Sequence, residues 1–126
     1  MSRKRKFKNQ NLLDRTKRLA VIIIKMTSHF PKREPGAWKL AEQITDSSMS
    51  VFANLREAQV GRSNKEFISI NGIALREANE TEGWLEILYE LPWIKQVYID
   101  ALLKEAGEIC SIIATIIIKS KGNTKE

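Results

Sequence analysis

The chain has little of what staples, bends or catalyses. One cysteine in 126 residues, Cys110, excludes an internal disulfide framework and a cysteine zinc cluster. It lies in an apolar helical run and reads as an inert buried thiol. His29 is the sole histidine. The serine cluster Ser47-Ser48-Met49-Ser50 therefore has almost no base to draw on, and no strand-to-helix elbow presents any of these serines as a nucleophile. A carboxylate-bridged metal pair in a helical bundle needs a Glu-x-x-His pair on two helices. Met26 stands where the glutamate before His29 would have to be, so that motif is absent. We expect no catalysis, no metal and no cofactor.

Other scarcities bear on architecture and location. Three prolines and six glycines leave room for long uninterrupted elements. The most apolar run, Ser111–Ile118, is far shorter than the ~20 residues of a membrane span. Met1 to Lys8 has the positive charge of a signal peptide, but Asp14, Arg15, Lys17 and Arg18 interrupt the apolar stretch that would have to follow. A cytoplasmic protein with no membrane contact is the expectation.

What the chain does have is a globular composition, 43% hydrophobic and 29% charged, in a length that suits one domain. It also has a lopsided charge. The net is +6, yet residues 1–36 carry eleven Lys or Arg against Asp14 and Glu34. Residues 67–94 carry Arg76 against Glu77, Glu80, Glu82, Glu86 and Glu90. A basic end and an acidic helix follow, and the basic end suits a polyanionic partner.

Helical spacing dominates. Leu12, Thr16, Leu19, Ile23, Thr27 and Phe30 form a first stripe that ends at Pro31. Val21–Ile24 is β-branched enough for a strand, but the stripe continues on both sides without a turn signal, which favours helix. Pro31–Gly36 reads as a loop. Ala37, Ala41, Ile44, Ser48, Val51, Leu55 and Ala58 form the second stripe, its serines small enough for close helix packing. Gly61 is expected to take a left-handed conformation after it. Ser63 followed by Glu66 has capping-box spacing and opens a third helix along Phe67, Ala74, Ala78, Thr81, Leu85 and Leu88. Gly72 and Gly83 inside it call for close contact with a neighbour to offset their poor helix propensity. A fourth helix starts near Pro92 and runs along Leu102, Leu103, Ala106, Ile109, Cys110, Ile113, Ile116 and Ile117 to Lys121.

Four such helices with short connections predict an all-α, up-down-up-down antiparallel four-helix bundle over residues 11–121. A basic, disordered arm at 1–10 precedes it and a flexible tail at 122–126 follows. Val21, Ile22 and Ile24 on the first helix are left over from the stripes. So are Ile73, Trp84, Ile87 and Leu91 on the third, and Ile99, Ile112 and Ile118 on the fourth. Surplus apolar faces of this size predict a homo-oligomer.

The second and third helices carry Ser50-Val51-Phe52-Ala53-Asn54-Leu55-Arg56-Glu57-Ala58, then Arg62-Ser63 and Glu66-Phe67, then Ile73-Ala74-Leu75-Arg76-Glu77-Ala78-Asn79-Glu80-Thr81-Glu82-Gly83-Trp84-Leu85. In these segments the chain resembles the four-helix-bundle proteins encoded in intervening sequences of bacterial large-subunit (23S) ribosomal RNA genes. A related branch is the accessory protein of diversity-generating retroelements, which binds nucleic acid and its reverse transcriptase. The resemblance implies a ring, typically a homopentamer, without catalysis. Five copies at +6 each would present a strong field to any polyanion.

Two surfaces are then the candidate sites. Arg3, Lys4, Arg5, Lys6 and Lys8 can follow a phosphate backbone while Phe7 stacks on a base. Arg15, Lys17, Arg18 and Lys25 on the first helix extend that basic surface. Nothing here reads base sequence, so binding should follow charge and shape, with RNA favoured. The second surface is a polar set around the turn between helices two and three, Asn54, Glu57, Arg62, Ser63 and Glu66. It reads as a structural hydrogen-bond network ahead of a recognition point. The alternative to nucleic-acid binding is a protein-interaction scaffold or accessory subunit that docks a partner through the acidic helix or the ring.

Overall fold

Helices α1 (Gln10–Thr27), α2 (Pro35–Gln59), α3 (Asn64–Tyr89) and α4 (Gln96–Asn123) make up most of residues 9–61 and 63–123, which the computed structural model describes. Among the described residues there is no strand, and Val21–Ile24 is helical. Each helix packs on the next in sequence, and α1 closes the ring against α4 through a much thinner seam. That is an up-down-up-down bundle, built as the short loops require. No described helix is long and apolar enough to cross a membrane.

The core follows the periodicity closely. Ile23, Ile44, Leu85, Leu88, Ile109 and Ile113 are sealed from solvent at its centre. Several assignments shift, and Trp84, Leu91 and Ile112, expected to be surplus, pack partly buried against the core. Met26, not Thr27, carries the α1 stripe inward, because the stripe steps by three there rather than four. Ile99, expected to be surplus, is fully buried, because it lies three residues before Leu102 and seven before Ala106 and so shares their helix face. Asn71 is buried between Phe67 and Ala74, its side-chain amide donating to the Phe67 carbonyl at 2.9 Å. The small-residue crossing of α2 and α3 holds a buried polar contact, with Thr81 Oγ1 donating to Ser47 Oγ at 2.8 Å and Ser47 Oγ to the Ile44 carbonyl at 3.3 Å.

The helix ends are set by local chemistry. At the end of α1, Thr27 Oγ1 and Ser28 Oγ donate to the Ile24 and Lys25 carbonyls at 2.8 and 2.7 Å, satisfying orphan acceptors just before Pro31. Pro35 occupies the first turn of α2, so Pro35 and Gly36 belong to the helix rather than to the loop. Ser63 Oγ accepts from the Glu66 backbone N–H at 3.1 Å, the capping bond its spacing predicts. Gly61 does not have a positive φ. It is glycine for a steric reason, since a Cβ there would lie 3.3 Å from the Ala58 carbonyl and 3.4 Å from Glu66 Oε1. Pro92 lies in the turn between α3 and α4, and α4 begins only at Gln96, whose side chain donates to the Tyr89 carbonyl at 3.1 Å. At its other end α4 runs on through Gly122 to Asn123.

The interior glycines are a second departure. No atom lies within 4 Å of a Cβ built on Gly72 or Gly83, so nothing in the protomer offsets their helix-propensity penalty. Gly72→Ala and Gly83→Ala are each expected to raise stability by about 1 kcal/mol. Thermal unfolding followed by circular dichroism checks this, and a decrease at either position would mean that a neighbouring chain packs there.

Candidate nucleic-acid interface

Of the cations expected to meet a polyanion, Arg3, Lys4, Arg5, Lys6 and Lys8 lie outside the described residues, as does Arg62 of the polar set. The α1 cations divide into two kinds. Lys17, Arg18 and Lys25 are exposed, Lys25 at the edge facing α4. Lys17 and Arg18 border a shallow groove of about 330 Å³ together with Asp14 and Val21. Asp14 accepts from Gln10 Nε2 at 2.9 Å, one turn earlier.

Arg15 reaches into the α1–α4 seam, and Arg18, one turn on, lies close enough to help hold the Glu105 carboxyl down. Its Nε and Nη2 donate to both oxygens of Glu105 at 2.9 and 2.7 Å, and Nη2 donates again to Glu108 Oε1 at 2.8 Å. This two-pronged, charge-assisted geometry is the strong form of such a contact. The bonds to Glu105 and then Glu108 raise the Arg15 pKa, while the hydrogen bond from Arg15 holds the Glu105 carboxyl below its ordinary value. The Arg15 side chain is only 21% exposed, and its charge is already matched within the bundle.

The sign of the pH effect follows. A lowered folded-state pKa for Glu105 means that its contribution is present above the ordinary carboxylate range and is lost as pH falls through it. Glu77 works in the opposite sense, because burial and then Glu80 raise its pKa. Arg15→Ala is expected to destabilise by about 1 kcal/mol at neutral pH, given the partial exposure of the cluster. That corresponds to roughly 3–5 °C in a domain of this size. Unfolding midpoints measured from pH about 7 down to 3 should show the variant and the parent converging at the acid end.

Of the polar set at the α2–α3 turn, Ser63 and Glu66 are joined by the capping bond that opens α3. Asn54 donates back to the Ser50 carbonyl of its own helix at 2.9 Å, and Glu57 faces solvent. The bond across the bundle at this end comes instead from Asn64, whose amide donates to the Ser120 carbonyl of α4 at 2.8 Å. It sets the first turn of α3 beside the last turn of α4. Exposed Lys65, Lys119 and Lys121 therefore collect at the end of the bundle from which residues 1–8 depart. Sequence reasoning missed this cluster, because Lys65 is more than fifty positions from Lys119 and Lys121 and only the helix register joins them.

Cys110 Sγ lies 3.4 Å from Asn79 Oδ1 and 3.7 Å from Glu82 Oε1 on α3. Burial, then the nearby Glu82 carboxylate, push its pKa up to about 11, so the thiolate is scarce at neutral pH. Among the described residues no three of His, Cys, Asp and Glu gather as metal ligands would.

The sequence profile of the 23S rRNA-intervening sequence protein family matches residues 8–115. Among solved structures, the chain is similar to a protein of unknown function from the S23 ribosomal protein family of Bacteroides thetaiotaomicron. The two share 34% identity and superpose with a TM-score of 0.76, over 84% of this chain and 97% of that one. No curated protein matches.

Proposed function

The chain belongs to the 23S rRNA-intervening sequence protein family, and from that premise we propose that it is a non-catalytic, oligomeric protein that binds nucleic acid, RNA above all. The observation that carries this reading is the set of exposed cations on α1. Lys17, Arg18 and Lys25 remain exposed there, while the remaining cation of the helix, Arg15, is neutralised by α4. Residues 1–8 add five more cations immediately before the helix. Contacts of this kind release counterions from the phosphate backbone, so affinity falls with salt by a log–log slope of about −0.7 per contact on a single strand.

Exposed Val21 and Ile24 on α1, Met49 on α2, Ile87 on α3 and Ile118 on α4 support self-association, since covering them with a second copy would remove apolar surface from water. A ring would bring several basic α1 faces within reach of one polyanion. The exposed carboxylates around Ile87 favour a second reading, a scaffold that docks a protein through α3 without touching nucleic acid. Titrating labelled RNA at several salt concentrations decides between the two. Steep salt dependence supports the first, and no binding even at low salt overturns it.

A further inference from the structure

Where α1 ends and α4 begins, the thin seam opens into a groove of about 710 Å³. Its chemistry differs from that of the helix faces. Buried Met26 and Leu102 floor it, and Ile22, Trp93 and Tyr98 form its walls. Lys25, His29 and Lys95 stand among its lining residues, which include no Asp or Glu. Tyr98 is 61% exposed. Trp93 is held by Phe30, their ring centroids 5.3 Å apart at 49°, so one aromatic wall is fixed in place.

We propose that this groove is a base-stacking site for single-stranded nucleic acid, with bases against Tyr98 and Trp93 and phosphates on Lys25 and Lys95. The inference rests on the nucleic-acid reading above and adds to it a strand type and a second contact point. Three observations carry it. The charge of the lining is of one sign, which suits an anion. The walls are aromatic, and an aromatic face stacks on any base without reading sequence. The groove also continues the α1 surface: Arg18, Ile22 and Lys25 follow one another by four and three residues, which keeps them on one helix face, and His29 stands in the turn just beyond. Seven residues of helix at 1.5 Å each span about 10 Å, so the face leads from Arg18 to Lys25 at the edge of the groove. A duplex keeps its bases stacked inside and has no face to offer these rings, which selects a single strand.

The test uses the full chain with a short unstructured RNA strand and the duplex of equal length, read by fluorescence anisotropy. The single strand is expected to bind at least about ten times more tightly than the duplex. Tyr98→Ala should lower its affinity about tenfold, as loss of one stacked base does, and leave the salt slope unchanged. Tyr98→Phe, which keeps the ring, should restore it. Lys25→Gln with Lys95→Gln should reduce the slope by about 1.4. Equal binding of duplex, unchanged affinity in Tyr98→Ala, or a change of solution mass in that variant would each overturn the proposal, the last by showing that a second copy fills the groove. If RNA binding requires residues 1–8, Lys17 and Arg18 but not Tyr98, the groove inference alone fails. If the unaltered protein binds neither strand form, the nucleic-acid reading itself fails.

Discussion

Deleting residues 1–8 and changing Lys17, Arg18 and Lys25 to Gln should remove nearly all RNA affinity at physiological salt. Those changes take away eight cations. With about −0.7 in log–log slope for each phosphate contacted, eight contacts make a slope of about −5.6, so a fourfold rise in salt weakens binding roughly 10³-fold in the parent and hardly at all in the variant. The substituted α1 positions are exposed, so stability should move by no more than about 0.5 kcal/mol. The control is Arg15→Gln. Position 15 is as basic in sequence as position 18, yet its guanidinium is held between Glu105 and Glu108. Arg15→Gln should therefore lower the unfolding midpoint and leave RNA affinity nearly intact, whereas Arg18→Gln should do the reverse. Binding measured by anisotropy alongside calorimetry separates the two. An Arg15 variant that loses as much affinity as the Arg18 variant would refute the assignment of binding to the exposed cations of α1.

That contrast marks what the sequence could and could not tell. The helices were legible because burial repeats every three or four residues, and Ile44, Val51, Leu55 and Ala58 stay on one side of α2 whatever packs there. The basic character of α1 was legible for the same local reason. The fate of Arg15 was not, because its partner lies ninety residues away and is chosen by the register of α4 against α1. The start of α4 was misjudged because a proline suits both a first helical turn and a connecting turn. What settles it is tertiary: Trp93 packs on Phe30, which keeps residues 90–95 out of the helix and walls the groove. Gly61 was read from the habit of helix ends, where glycine usually turns left-handed. Here the turn is closed by the Val60 and Gly61 N–H groups on the Glu57 and Ala58 carbonyls, and the constraint is space.

Leu85 and Ile87 test the remaining premise, that core and surplus apolar faces are different things. They sit two residues apart on α3, about 200° apart around its axis at 3.6 residues per turn. Leu85 is sealed from solvent and Ile87 is 49% exposed. Leu85→Ala leaves a cavity among close-packed neighbours and should destabilise by about 3–4 kcal/mol. Against a total stability of roughly 5–15 kcal/mol this is a large fraction, and the unfolding midpoint should fall by about 10–15 °C. Ile87→Ser removes apolar surface that the protomer does not bury, so a lone copy should lose less than about 1 kcal/mol. If sister copies cover that face, the same change lowers the mass measured by light scattering and makes the unfolding midpoint depend on protein concentration, because association and folding are linked by mass action. A parent protein that scatters as a monomer, with Ile87→Ser indistinguishable from it, would mean that these exposed side chains join no copies together and that any polyanion is met by one basic helix at a time.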